Sequence, residues 1–398
     1  MNWRDVGARM ADTMKTVDVG FRERKRECKL KRKQSAAAGV SCQQKIARLR
    51  ERDAWTERIH RVDVIETHLS WVFLTAWHAW KLKKPGRYEA IDLRSVAARK
   101  RNEQMELRLN RRLSRSVYLG VDPLTLGGNG VMRVGGKGKV IDWLLKMRRL
   151  PAGLMLDRAL ARGAVHKSDT AKIVRRLSSF YRSLPRSNLR ASAYRARFLS
   201  EIARNESVLV RIMICRAADV RQLCDIQRAL LASRADRLEL RVADGWIREC
   251  HGDLRPEHVC LTRPVAIIDC LEFSERLRTI DTLDEVGFLA LECEHLGAST
   301  IAHALLAAYG GSMHDSVDAG LLHFYQSIRA TVRARLAAAH LLGPRIGRVR
   351  HWRRRALAYL EIGAAHARQC AAALQPGART PTPDLPPIGV TGGSLRCV

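Results

Sequence analysis

Two carboxylates sixteen residues apart, Asp253 and Asp269, carry the clearest chemistry in the chain. The first lies in His251-Gly252-Asp253-Leu254-Arg255-Pro256-Glu257-His258-Val259-Cys260-Leu261, and the second closes the apolar run Val265-Ala266-Ile267-Ile268-Asp269. One acid in a loop before a strand and another at the end of the next strand converge across a hairpin. Convergence of this kind suits phosphoryl transfer. One carboxylate orients or deprotonates the attacking hydroxyl, and the other holds Mg²⁺ against the phosphate oxygens of a nucleotide. The plainer alternative is a turn with a capping Asp and an unrelated buried Asp. The length of the string and its spacing to Asp269 weigh against it.

At these residues the chain resembles the aminoglycoside-phosphotransferase family, relatives of the protein kinases, whose loop reads His-Gly-Asp-Leu-x-x-x-Asn and whose metal aspartate follows an apolar strand. The run Glu66-Thr67-His68-Leu69-Ser70-Trp71-Val72-Phe73-Leu74-Thr75 is similar to uncharacterised bacterial members of that family. The resemblance extends over roughly residues 62–374 and implies ATP and Mg²⁺ as cofactors. It makes Asp253 the catalytic carboxylate and Asp269 the metal ligand. His258 stands where the family has a metal-ligating Asn, and an imidazole suits Mg²⁺ less well than oxygen does. A nucleotide-binding pseudokinase is therefore the second reading, and full activity rests on what His258 does.

A lysine must fix the phosphates, and a helix glutamate must hold that lysine. In Ala79-Trp80-Lys81-Leu82-Lys83 a strand period puts Lys81 and Lys83 on one face. The resemblance favours Lys83, preceded by an apolar residue, with Lys81 second. A lysine-rich exposed edge strand is the ordinary alternative. Glu106 is the implied partner and Glu103 lies one turn away. Ser70 falls in the segment that covers phosphates in kinases, although the glycines of such a loop are missing. Met147, at 147–151, falls where an adenine edge would meet the chain. The resemblance also points to Asp281 as a brace of the catalytic loop, or simply an N-cap, and to Arg329 and Arg333 as contacts to an anionic group, or solvated arginines. No G-x-x-x-x-G-K-[ST] string occurs, which disfavours a P-loop kinase.

The elements that must position these residues form an α+β, protein-kinase-like two-lobed fold. Short β-type runs at 62–65, 70–75 and 79–83 are followed by a helix over 93–113, with Met105, Leu109 and Leu113 as its buried stripe. Glycine turns at 127–130 and 135–138 predict a hairpin ending in a strand over 140–147. Helices are expected over 155–163, 167–183, 191–212, 216–242, 281–309, 317–342 and 350–374, interrupted only by the β-type island 249–273. The resulting organisation is a basic extension over 1–58, partly disordered, a small lobe over 59–150 with an antiparallel sheet and one helix, and a helical lobe over 151–375 carrying a catalytic β-hairpin. A Pro-rich disordered tail follows from 376.

The chain has 398 residues and a formal net charge of +31. Its basic residues are spread along the length, and no zinc finger, RRM or basic-zipper pattern accompanies them, so a specific nucleic-acid role is the least supported of three readings. The runs at 22–26 and 29–33 are the segment such a role would use. Ten cysteines without a C-x-x-C pair argue against thiolate metal sites and for reduced thiols, hence a cytoplasmic protein. No signal-type apolar segment or membrane span is read. The expected partners are a nucleotide and a small molecule bearing a hydroxyl; the sequence assigns neither a particular acceptor nor an oligomeric state.

Overall fold

The computed structural model describes residues 39–88, 91–342 and 349–373. The basic runs at 22–33 and the tail from 376 lie outside the described residues. Within them the chain forms two compact units, one of residues 39–104 and 119–149 and one of residues 105–118 and 150–373. Each is α+β or helical as expected of a protein-kinase-like plan, but the small unit is not the contiguous 59–150 of the sequence reading.

The small unit begins earlier than residue 59. Ser41 caps helix α1 (Cys42–Leu49) in a capping box with Gln44, and a 3₁₀ turn follows at Arg52–Ala54. Strands β1 (Asp63–Glu66), β2 (Ser70–Leu74) and β3 (His78–Lys83) make the meander, and a short ladder, β4 (Arg87–Tyr88) with β5 (Ile91–Asp92), precedes helix α2 (Val96–Ser114). Strands β6 (Tyr118–Leu126), β7 (Met132–Val134) and β8 (Lys139–Arg148) complete a six-stranded sheet in the order β1-β2-β3-β8-β6-β7. The period of two sends Phe73, Trp80 and Leu82 to one face with Leu144, where Leu49, Ala54, Trp55 and Ile59 seal them. Trp55 packs 5.1 Å from Trp80 and 6.0 Å from Phe73. Full burial of one such apolar side chain stabilises by about 1.5–3 kcal/mol, so residues 41–59 belong to this core and not to an extension. A buried Asp142 fastens the same segment: it accepts from Lys45 Nζ at 2.8 Å and from Arg99 Nε at 2.7 Å.

The second unit is built from helices α3 (Leu156–Ala161), α4 (Lys167–Ser183), α5 (Ala191–Ile212), α6 (Ala217–Ser233) and α7 (Ala235–Ala243), then β9 (Ile247–Glu249), β10 (Val259–Cys260) and β11 (Ala266–Ile267). Helix α8 (Glu275–Arg278), β12 (Thr279–Asp281), α9 (Thr282–His295), α10 (Ser299–Met313), α11 (Ala319–Ala339) and α12 (Val349–Ala372) complete it. Two predicted helices prove to be pairs. The stretch 281–309 breaks after Leu296 because Gly297 takes φ +79°, the left-handed stop that glycine supplies without a Cβ clash. The β-type island is two small antiparallel ladders, β10 with β11 and β9 with β12. The stretch from His251 to Asp269 runs between β9 and β12 and contains β10 and β11.

Candidate active site

Asp269 follows β11 by two residues, and helix α2 holds the backbone that presents it. Ser114 Oγ donates to the Ile267 carbonyl and accepts from the Ile267 amide, both at 2.8 Å. Tyr118 Oη accepts the Asp269 N–H at 2.9 Å, and Asn110 Oδ1 accepts the Cys270 N–H at 2.9 Å. Asn110, Ser114 and Tyr118 recur every four residues, so one helix face and its continuation clamp a whole strand end. The clamp has strain to hold: Asp269 sits at φ +63°, a region that costs a non-glycine residue roughly 1–2 kcal/mol. Its side chain is 43% exposed. The predicted stripe of α2 is corrected at one position. Leu109 and Leu113 are buried, but Met105 is half-buried, and the polar Asn102, Glu103, Glu106 and Asn110 of the same helix are each buried as well.

The loop carrying Asp253 is held from the other side by Glu285 of α9. This buried carboxylate accepts the Gly252 N–H at 2.6 Å, the His251 N–H at 3.2 Å and the Tyr181 hydroxyl at 2.9 Å. Burial pushes its pKa up, against the pull of these donors. The expected brace, Asp281, does something else. It caps α9 by accepting from the Leu283 N–H, pairs with Arg241 at 2.7 and 2.8 Å, and accepts from Tyr325 at 3.0 Å. The brace is the acid one helical turn further on, a spacing visible in Asp281-Thr282-Leu283-Asp284-Glu285. Gly252 needs its φ of +87° here, and a Cβ at this position would lie 3.0 Å from Arg278 Cγ. His251 is buried and neutral: Nε2 donates to the Ile268 carbonyl at 2.8 Å, and Nδ1 accepts the Asp253 N–H at 3.3 Å. Burial, reinforced by His258, lowers its pKa to about 4.

Asp253 and Asp269 meet at one imidazole. His258 Nδ1 stands 3.8 Å from Asp253 Oδ2, and Nε2 stands 3.5 Å from Asp269 Oδ2. Because a carbonyl only accepts, the 2.7 Å contact of Nδ1 with the Asp253 carbonyl fixes the proton on Nδ1. Nε2 then accepts from Arg255 Nη2 at 3.2 Å. Arg255, which sequence reasoning passed over, also donates from Nε to Asp253 Oδ2 at 3.1 Å and pairs with Glu257. Burial alone would raise the Asp253 pKa, but Arg255, His258 and Arg333 outweigh it and hold the carboxyl below its ordinary value. With both ring nitrogens engaged, His258 fits a spacer between two carboxylates. The half-exposed oxygens of Asp269 fit a hard divalent cation better. Among the described residues no group of three or more His, Cys, Asp and Glu side chains forms a metal cage.

In the small unit, β2 and β3 pair Ser70 with Lys83, and β3 and β8 pair Ala79 with Met147. Ser70, Lys81, Lys83 and Met147 thus share the sheet face opposite the aromatic core. Lys83 and Ser70 are fully buried and Lys81 only partly. The turn before Ser70 is closed by its own bonds: Thr67 N–H donates to the Ser70 carbonyl at 2.8 Å, and Ser70 N–H to Thr67 Oγ1 at 3.0 Å. Those two amides are therefore not available as a phosphate cradle. Glu106 and Glu103 are both fully buried. Arg329 and Arg333 are not solvated. Arg329 forms a two-pronged pair with Asp284 at 2.8 Å, and Arg333 Nε donates to Glu292 at 2.8 Å.

No family model matches the chain. Among curated proteins it is similar to uncharacterized proteins of Mycobacterium tuberculosis and Mycobacterium bovis, 28% identical over 282 residues, covering 69% of this chain and 54% of theirs. The chain spans about half the length of the curated relatives it matches. Among solved structures it is similar to a choline/ethanolamine kinase family protein from Mesorhizobium loti, at 16% identity and TM-score 0.48 over 79% of this chain and 92% of that one. It is also similar to a GDP complex of aminoglycoside 2′-phosphotransferase-IIIa (14%, 0.40, 78% and 94%) and to a glucosamine kinase in complex with glucosamine, ADP and inorganic phosphate (14%, 0.43, 79% and 82%). These neighbours are small-molecule kinases and phosphotransferases. No helix among the described residues is long and apolar enough to cross a membrane.

Proposed function

We propose that the chain is an ATP-dependent phosphotransferase that moves the γ-phosphoryl group to a hydroxyl of a small molecule. The observation that carries this reading is the convergence of Asp253 and Asp269 on the two edges of His258, 3.8 and 3.5 Å away. In the reaction the acceptor oxygen bonds to the γ-phosphorus, and the bond from that phosphorus to the β,γ-bridging oxygen breaks, its electron pair leaving on ADP. The acceptor proton passes to Asp253 and then to solvent. Asp269 would hold Mg²⁺, which would neutralise charge on the transferring phosphate. His258 keeps the carboxylates apart and Arg255 keeps Asp253 ionised. Lys83, with Ser70 beside it, is the residue of the small unit assigned to the phosphates, Lys81 the alternative, and Glu106 the assigned partner of the lysine. Met147 is assigned to the adenine edge.

One observation favours a second reading, a nucleotide-binding regulator without turnover: the Arg255 guanidinium rests on Asp253 at 3.1 Å, where it weakens the carboxylate as a base. The two readings divide on one comparison. Thermal stabilisation by ADP and by ATP, each with Mg²⁺, is expected for the wild type and is expected to fall in Asp269→Asn. Phosphate release or transfer alongside that stabilisation supports the enzyme. Stabilisation without any turnover, over a screen of hydroxylated metabolites, selects the regulator.

A further inference from the structure

Beside the catalytic loop lies a polar wall that the reaction above does not use. Helix α9 packs against the 3₁₀ turn Pro256–His258 and carries Glu292 and His295; α11 carries Arg333, and α12 carries Arg355 and Tyr359. Glu292 is buried and fully engaged. It accepts from Arg333 Nε at 2.8 Å and from Tyr359 Oη at 2.9 Å. The Tyr359 ring is stacked by His295 at 4.0 Å, and two guanidiniums lie over it, Arg333 at 5.4 Å and Arg355 at 5.8 Å. Burial and these two arginines hold His295 neutral, with a pKa lowered to about 4.

The two arginines on α11 that share a face are not equivalent. Arg329 meets Asp284 with Nε and Nη2 together, a closed pair of the kind that serves packing. Arg333 meets its carboxylate through Nε alone. Arg355 joins no ion pair among the described residues and donates to Tyr359 Oη at 3.5 Å. Arg333 is matched by Glu292 and, on the loop side, Arg255 by Glu257, so Arg355 is the guanidinium of this cluster that has no ion pair among the described residues, held beside a buried Glu–Tyr anchor. Arg333 is near enough to the loop to depress Asp253. The opposite end of the same stretch, Asp253 and Asp269, is acidic. A ligand lying along it meets carboxylates at one end and guanidiniums at the other.

Resting on the phosphotransferase reading, we infer that Arg333 and Arg355 select the acceptor, and that the acceptor carries an anionic group, a carboxylate or a phosphate, on the side away from its reacting hydroxyl. A guanidinium matches both anions, through charge-assisted hydrogen bonds that are stronger than neutral ones. An ammonium-bearing acceptor would face two like charges.

The test uses the full chain saturated with ADP and Mg²⁺, and titrates glycerate, glycerol 3-phosphate, glycerol and choline by calorimetry. At least one anionic probe is expected to bind about tenfold or more tightly than glycerol or choline, the scale of one charge-assisted hydrogen bond. Which of glycerate and glycerol 3-phosphate binds better separates carboxylate from phosphate. Arg333→Met and Arg355→Met should each lose that preference, and Arg333→Lys should restore part of it. Anionic probes that bind no tighter than glycerol overturn the inference, as do variants that keep wild-type anion affinity. ADP that fails to bind removes the phosphotransferase reading itself, whereas ADP binding without anion preference removes only this one.

Discussion

At the scale of single residues the site is a matter of which charge sits against which. Arg255 holds Asp253 below its ordinary pKa, so Arg255→Gln should raise that pKa, and the acid limb of the pH–rate profile, where the carboxylate form is lost, should move to higher pH. A profile of ATP turnover with an unmoved acid limb would remove Arg255 from this role. Glu285 carries the loop, and Glu285→Ala leaves the His251 and Gly252 amides buried without an acceptor, at about 1–3 kcal/mol each. Glu285→Gln, which retains an oxygen, should lose less in a denaturant titration. The juxtaposition of Asp253 and Asp269 was legible from the string around them, in which Gly252 and Asp269 take positive φ and His251 is fully buried. The brace was not. Asp281 and Glu285 occupy successive turns of one helix start, and sequence does not say which carboxylate reaches the loop amides and which turns to Arg241.

At the scale of elements, helix α2 acts on the strand of Asp269 through Asn110, Ser114 and Tyr118. Tyr118→Phe deletes one acceptor and little volume, so it should cost about 1 kcal/mol of stability. Mg²⁺-dependent nucleotide affinity should fall by more than that stability change implies, because the lost bond is the one at Asp269. Equal affinity in Tyr118→Phe and wild type, by calorimetry, would show that the clamp has no bearing on the role proposed for Asp269. The element order was legible from periodicity, as in β1 to β3 and α4. What failed has local causes. The spacing-of-four ladder on α2 is polar, so a search for apolar stripes passes over it and settles on Met105. The capping box Ser41–Gln44 was present in the sequence, but Leu49, Ala54, Trp55 and Ile59 are spread over a helix, a turn and a coil and show no single period. A glycine stop inside an apolar helical run, Gly297, reads as continuity until its φ is known.

At the scale of the whole molecule, the positive charge of the chain coexists with a large unit in which buried Arg241 and half-buried Arg329 and Arg333 are each paired with acids. Buried neutral histidines give stability a pH dependence of determinate sign. His251 has its pKa lowered by burial to about 4, and His323, bonded to His366 at 3.0 Å, to about 3. Below the ordinary histidine value of about 6.5 the unfolded chain binds protons that the native chain refuses, so each such histidine removes about 1.4 kcal/mol per pH unit as the pH falls toward its native pKa. The raised carboxyls Asp284, Glu285 and Glu292 act in the opposite direction. The clean readout is a difference: His323→Gln should flatten the decline of melting temperature between pH 6.5 and 4 relative to wild type, and parallel curves would contradict the assignment. The central claim is that Asp253 performs the chemistry while other groups hold the nucleotide. Phosphate transfer or release from saturating ATP and Mg²⁺, measured in wild type and Asp253→Asn, tests it most directly. The account predicts turnover lowered about a hundredfold to ten-thousandfold with ADP affinity retained, and turnover in Asp253→Asn equal to that of the wild type would contradict it.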